Sequence, residues 1–75
     1  MEDSIIRLIY PPTLINVPVI YQLIRKYDLA VNILRARITP DHGWIEIKLT
    51  GDSPVIKEAL NWLQEMGIEI KPVFT

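Results

Sequence analysis

The chain has 75 residues, 49% of them hydrophobic, with a formal net charge of −1 and no cysteine. Disulfides, thiolate-held iron–sulfur clusters and a thiol nucleophile are therefore excluded, and the single histidine, His42, builds no zinc site unless several carboxylates converge on it. This length predicts one domain, residues 1–75, that buries only about 60% of its unfolded surface and is stabilised by packing alone.

Ser4 to Tyr10 is rich in β-branched residues and is closed by Pro11-Pro12, which predicts a strand. Ile20, Leu23, Ile24 and Tyr27 recur at helical spacing, with Asn16 as the expected N-cap, Pro18 in the first turn, and Arg25 and Lys26 in the last turn, where cations suit the helix dipole. A second strand is expected from Ala30 to Thr39, a turn over Pro40-Asp41-His42-Gly43, and a third strand from Trp44 to Thr50. Ser53-Pro54 reads as an N-cap followed by proline at the first helical position, Ile56, Ala59, Leu60 and Leu63 as a buried helical stripe, and Gly67 as the stop. Ile68 to Phe74 is the last expected strand. The order β-α-β-β-α-β predicts an α+β, ferredoxin-like fold: a four-stranded antiparallel sheet in the order 4-1-3-2 with both helices on one face.

The helices leave the other face of the sheet open, and function is expected there. With Ile45, Ile47 and Leu49 turned inward, strict alternation sends Trp44, Glu46 and Lys48 outward. The same rule places Leu34, Ala36 and Ile38 inside, with Ile33, Arg35 and Arg37 outside. Ile5, Arg7 and Ile9 are expected outside on the first strand, and Glu69, Lys71 and Val73 on the last. The expected interface is thus Ile5, Arg7, Ile9, Arg35, Arg37, Trp44 and Lys48, with Ile5, Ile9, Ile33 and Trp44 as an apolar patch that a subunit contact would cover. If Pro40 pairs with Gly43, Arg37 faces Glu46 and Arg35 faces Lys48. The second is a like-charge pair, relieved either by splaying into water or by an anion.

Catalysis is not expected. The sequence has no nucleophile–base pair, no Gly-rich phosphate loop and no metal cluster, and Asp41-His42 reads as a solvated turn. Binding of nucleic acid is not expected either, because Trp44 is the only evident stacking platform and the net charge is slightly acidic. The acidic start Met1-Glu2-Asp3-Ser4 lacks the basic region of a signal peptide, and no apolar run approaches the roughly 20 residues of a membrane span. A cytoplasmic protein without membrane insertion is the expectation.

Asn32-Ile33-Leu34, preceded by Tyr27-Asp28 and followed by Arg35-Ala36-Arg37-Ile38, resembles the NIL domain family, which is named for that tripeptide. The likeness continues through Gly43 to Leu49 and Ala59-Leu60-Asn61-Trp62-Leu63-Gln64-Glu65 to the final strand. The family is known at the C-terminus of the ATPase subunits of methionine importers, where it binds methionine and slows transport, and also in fusions with iron–sulfur ferredoxins. The resemblance implies a non-catalytic regulatory module without a cofactor, forming a homo-oligomer (a dimer or tetramer). It would bind a small amino acid such as methionine at a subunit boundary, with Asn32 as the counterpart of the motif asparagine and Ile33 and Leu34 beside it. This chain departs from both contexts in lacking a Walker A motif and cluster-ligating cysteines, which leaves open a ligand-free domain that docks onto a protein partner in a transport or redox complex.

Overall fold

Residues 1–73 are described by the computed structural model. Strand β1 spans Glu2–Tyr10. It starts two residues before Ser4 because Glu2 and Asp3 pair with Gly51 and Thr50, and the Thr50 hydroxyl donates to Asp3 Oδ1 at 2.7 Å. Pro11 ends the strand and a 3-10 turn follows over Pro12–Leu14. Helix α1 spans Val19–Lys26. Asn16 is not its cap: the Val17 N–H bonds the Leu14 carbonyl at 3.0 Å, keeping that stretch in a turn, and Pro18 occupies the cap position without a side-chain bond. Arg25 and Lys26 do fall in the last turn.

Strand β2 (Ala30–Ile38) and strand β3 (Gly43–Gly51) are joined by a turn closed by the Thr39 N–H on the His42 carbonyl at 2.7 Å. Helix α2 spans Ser53–Met66, with Asp52 rather than Ser53 at the N-cap position and without a side-chain capping bond. Gly67 stops it at φ +105°, with its N–H on the Gln64 carbonyl and the Ile68 N–H on the Leu63 carbonyl. A Cβ at Gly67 would meet nothing nearer than Pro11 Cγ at 4.0 Å, so substitution there costs backbone conformation rather than space. Gly67→Ala is expected to destabilise by about 1–2 kcal/mol and Gly67→Asn by less, since asparagine tolerates the left-handed region; urea melts of the three proteins check the ranking.

Strand β4 is shorter than expected, Glu69–Pro72. Ile68 is a core residue just before it, and Phe74 lies outside the described residues. The sheet runs β2-β3-β1-β4, every pairing antiparallel, which is the expected order. One apolar layer lies between sheet and helices: Ile6, Leu8 and Tyr10 of β1 and Ile47 and Leu49 of β3 meet Val19 and Leu23 of α1 and Ala59 and Leu63 of α2. The buried stripe of α1 is centred on Val19 and Leu23, so Ile24, expected inside, is 48% exposed. Tyr27 meets Trp62 edge-on, with ring centroids 6.1 Å apart, tying the end of α1 to α2.

The largest departure from strict alternation is in β2. Its register on β3 shifts between Ile33 and Arg35, leaving Leu34 as an extra residue. Beyond the bulge, Arg35 opposes Glu46 and Ala36 opposes Ile45; before it, Ile33 opposes Ile47, Asn32 opposes Lys48 and Val31 opposes Leu49. Every side chain before Leu34 therefore stands on the face opposite to the one alternation assigns. Ile33 joins the helix side of the sheet and is no part of a patch with Ile5, Ile9 and Trp44, while Asn32 comes onto the open face. Leu34 and Ile38, expected inside, are about half exposed along this edge strand.

Candidate functional site

One row of charged residues crosses all four strands on the open face. Lys71 of β4 opposes Arg7 of β1, Arg7 opposes Glu46 of β3, and Glu46 opposes Arg35 of β2. The Glu46 carboxylate is the hub. It accepts from Arg7 Nε at 2.9 Å and Nη2 at 2.6 Å on Oε2, and from Arg35 Nε at 2.5 Å on Oε1. Trp44, two residues along on the same face, lies under both guanidinium groups, with Arg7 Cζ 4.4 Å and Arg35 Cζ 5.5 Å from its ring centroid. These three side chains close over Glu46, which is only 4% exposed although it points away from the core. The bonds from Arg35 first, and from Arg7 second, hold its carboxyl down to about 2 against the opposing effect of burial. The bond to Glu46 in turn raises Arg35 above the ordinary arginine value.

The expected pairing of Arg37 with Glu46 and Arg35 with Lys48 does not occur: Arg37 opposes Trp44, Arg35 takes Glu46, and Lys48 faces Asn32. The like-charge pair of this sheet is instead Arg7 opposite Lys71. Lys71 also reaches Glu69 at 3.5 Å, both side chains about 60% exposed. A cleft of about 340 Å³ opens over this end of the row, lined by Arg7, Arg35, Glu46, Lys71, Pro72 and Val73. Sequence alternation found Arg7, Arg35 and Glu46 one by one; their convergence depends on the turn register, which pairs Ile38 rather than Pro40 with Gly43.

Asn32, Ile33 and Leu34 lie together at the bulge, on the edge of the sheet. Ile33 is 54% and Leu34 47% exposed. Ile5, Ile9 and Trp44 are half-buried on the open face, so the row is flanked by apolar groups on both sides. Among the described residues, no cluster of three or more His, Asp or Glu side chains is placed to hold a metal ion, and no helix is long and apolar enough to cross a membrane.

A four-stranded antiparallel sheet, two helices on one side and a bare, ion-paired face on the other define a ferredoxin-like α+β domain. The chain belongs to the NIL domain family, which it matches over residues 4–72. It is 31% identical over 76 residues to a methionine import ATP-binding protein of Cupriavidus pinatubonensis, the match taking in 96% of this chain and 22% of that protein. It is 36% identical over 53 residues to the iron–sulfur subunit of an L-aspartate semialdehyde sulfurtransferase of Methanocaldococcus jannaschii, over 71% of this chain and 40% of the relative. The chain thus spans less than half the length of either protein. The C-terminal domain of an ABC transporter ATP-binding protein from Enterococcus faecalis has the same fold, with a TM-score of 0.81 at 23% identity over 93% of this chain and 82% of that one.

Proposed function

We propose that this domain is a non-catalytic, cytoplasmic regulatory module that pairs with a second copy of itself and binds a small amino acid of the methionine type at the boundary. The observation that carries the reading is the position of Asn32 in a chain related to methionine import ATPases: on the open face of an edge strand, directly opposite Lys48 and beside a bulge that exposes Ile33 and Leu34. The Asn32 amide offers a donor and an acceptor to an amino acid's carboxylate and ammonium, and Lys48 supplies a cation for the carboxylate. Leu34, exposed at the bulge, gives an apolar contact for a thioether, whereas Ile33 stands on the helix side and would meet the ligand only from the second copy. The nine-residue edge of β2 has unpaired backbone groups that a second copy would satisfy.

Calorimetric titration with methionine, combined with light scattering, tests this directly. Saturable binding by a dimer or tetramer is expected, weakened about tenfold or more by Asn32→Ala, which removes hydrogen bonds to a charged ligand. Absence of heat with methionine or any other small amino acid sinks the sensor reading.

The relation to an iron–sulfur subunit favours a second reading, a ligand-free domain that docks onto a redox or transport partner. That reading predicts no response to methionine, and a complex that survives Asn32→Ala.

A further inference from the structure

We infer that the cleft over Arg7, Arg35 and Lys71 binds carboxylate groups, and that a small dicarboxylate is the ligand class it fits. This site is separate from Asn32 and does not rest on the amino-acid reading. Three observations converge on it. First, the row Lys71–Arg7–Glu46–Arg35 holds three cations and one carboxylate, and Glu46 is already shared between two arginines. Arg7 and Lys71 are a directly opposed like-charge pair, offset by Glu46 on Arg7 and by the exposed Glu69 on Lys71, and an anion bridging the two would relieve their repulsion further.

Second, the donors are in place. Glu46 fixes Nε and Nη2 of both arginines, so both forks are held rigid, and neither Nη1 bonds any described residue. An incoming carboxylate meets oriented donors that lose little freedom on binding. Among the described residues, the one ion pair of Lys71 is with the exposed Glu69, a bond that is readily exchanged.

Third, the shape and charge fit two separated carboxylates better than one compact anion. Adjacent strands lie about 4.8 Å apart, so the row from Lys71 to Arg35 spans three spacings, roughly 14 Å at the backbone. The cleft of about 340 Å³ suits a molecule of a few carbons, with Pro72 and Val73 as a wall for its methylenes. Of the eight Lys and Arg residues, five (Arg7, Arg35, Arg37, Lys48 and Lys71) stand on this face, against three of the nine acids (Asp3, Glu46 and Glu69). The face is therefore positive while the whole chain is at −1. Nucleic acid is the poorer fit, because the Trp44 ring is covered by Arg7 rather than open to a base.

The carboxylates can come from a free small acid or from acidic side chains of a partner. The test is titration of the isotope-labelled full chain with succinate, and separately with a short glutamate-rich peptide, at ionic strength held constant with chloride. The readout is the Nε–Hε signals of Arg7 and Arg35. Saturable shifts confined to the row are expected, with affinity weakened about tenfold by Lys71→Gln, the loss of one charge-assisted bond. Glu69→Gln, which releases Lys71, is expected to tighten binding, a gain that a merely structural role for the row does not produce. Saturation by succinate identifies a free acid, and saturation by the peptide alone identifies a partner's side chains; both support the site. Shifts that chloride reproduces, or an affinity unchanged by Lys71→Gln, overturn it.

Discussion

Leu8→Ala is expected to remove about 3 kcal/mol of stability, the largest loss of any single substitution considered for this chain. Leu8 is fully buried on β1, one of the two strands paired on both sides, opposite Ile45 of β3 and Ile70 of β4. Every neighbour is fixed by the sheet or by a helix packed on it, so the cavity left by the missing atoms can collapse only partly. A domain of this size has roughly 4–11 kcal/mol in total, so the variant is left with a small margin and its urea midpoint falls steeply. Leu34→Ala is the contrast. The same atoms are removed from a side chain 47% exposed at the bulge of an edge strand, and a loss within about 0.5 kcal/mol is expected for the monomer. A loss at Leu34 that grows with protein concentration would show that a second copy covers this edge. Equal losses at Leu8 and Leu34 under dilute conditions would contradict the core assignment.

The contrast between these two leucines marks where the sequence is readable. The four strands, two helices and their order follow from apolar periodicity and from the breakers at Pro11-Pro12, Ser53-Pro54 and Gly67, because period 2 and period 3.6 are dictated by backbone geometry. Ile47, Leu49, Ala59 and Leu63 are buried as their spacing requires. The bulge at Leu34 is different in kind. Ala30 to Ile38 has no glycine or proline that announces an extra residue, and its run Ile33-Leu34 satisfies either face. The bulge follows from fitting β2 to both ends of β3 at once: Val31 must pack beside Leu49, and Ala36 beside Ile45. Two anchors five residues apart on one strand and four on the other leave one residue over. That one residue decides the Asn32 site. It turns Asn32 onto the open face and takes Ile33 off it, whereas Arg35 rather than Arg37 reaches Glu46 because the turn closes at Thr39 and His42 and pairs Ile38 with Gly43. The burial of Glu46 was equally hidden, since a glutamate flanked by isoleucines in an alternating strand looks like a solvated charge until two arginines and a tryptophan from across the sheet are placed over it.

Acidification is expected to destabilise the domain between pH 4.5 and pH 2, and Glu46→Gln is expected to flatten that fall. The sign follows from the pKa difference. The carboxyl of Glu46 has an ordinary value of 4.5 and is held at about 2 in the folded chain by Arg35 and Arg7. The unfolded chain therefore binds the proton more readily throughout this window, so the stability contributed by Glu46 is complete above pH 4.5 and is lost as pH falls toward 2. Replacing Glu46 by Gln keeps the shape but removes the charge. Arg7, Arg35 and Lys71 are then three neighbouring cations with no buried counterion, so the variant is expected to be less stable than the parent at pH 7 and to recover part of the loss in high salt, which screens cation repulsion. In the Glu46→Gln background, a further Arg35→Gln is expected to cost less than it does in the parent, because the bond it would break is already gone. Thermal melts of the four proteins from pH 7 to pH 2 contain the whole test. If the acid limb survives in Glu46→Gln, the group that titrates is elsewhere in the chain, and the row across the sheet is not what holds its open face together.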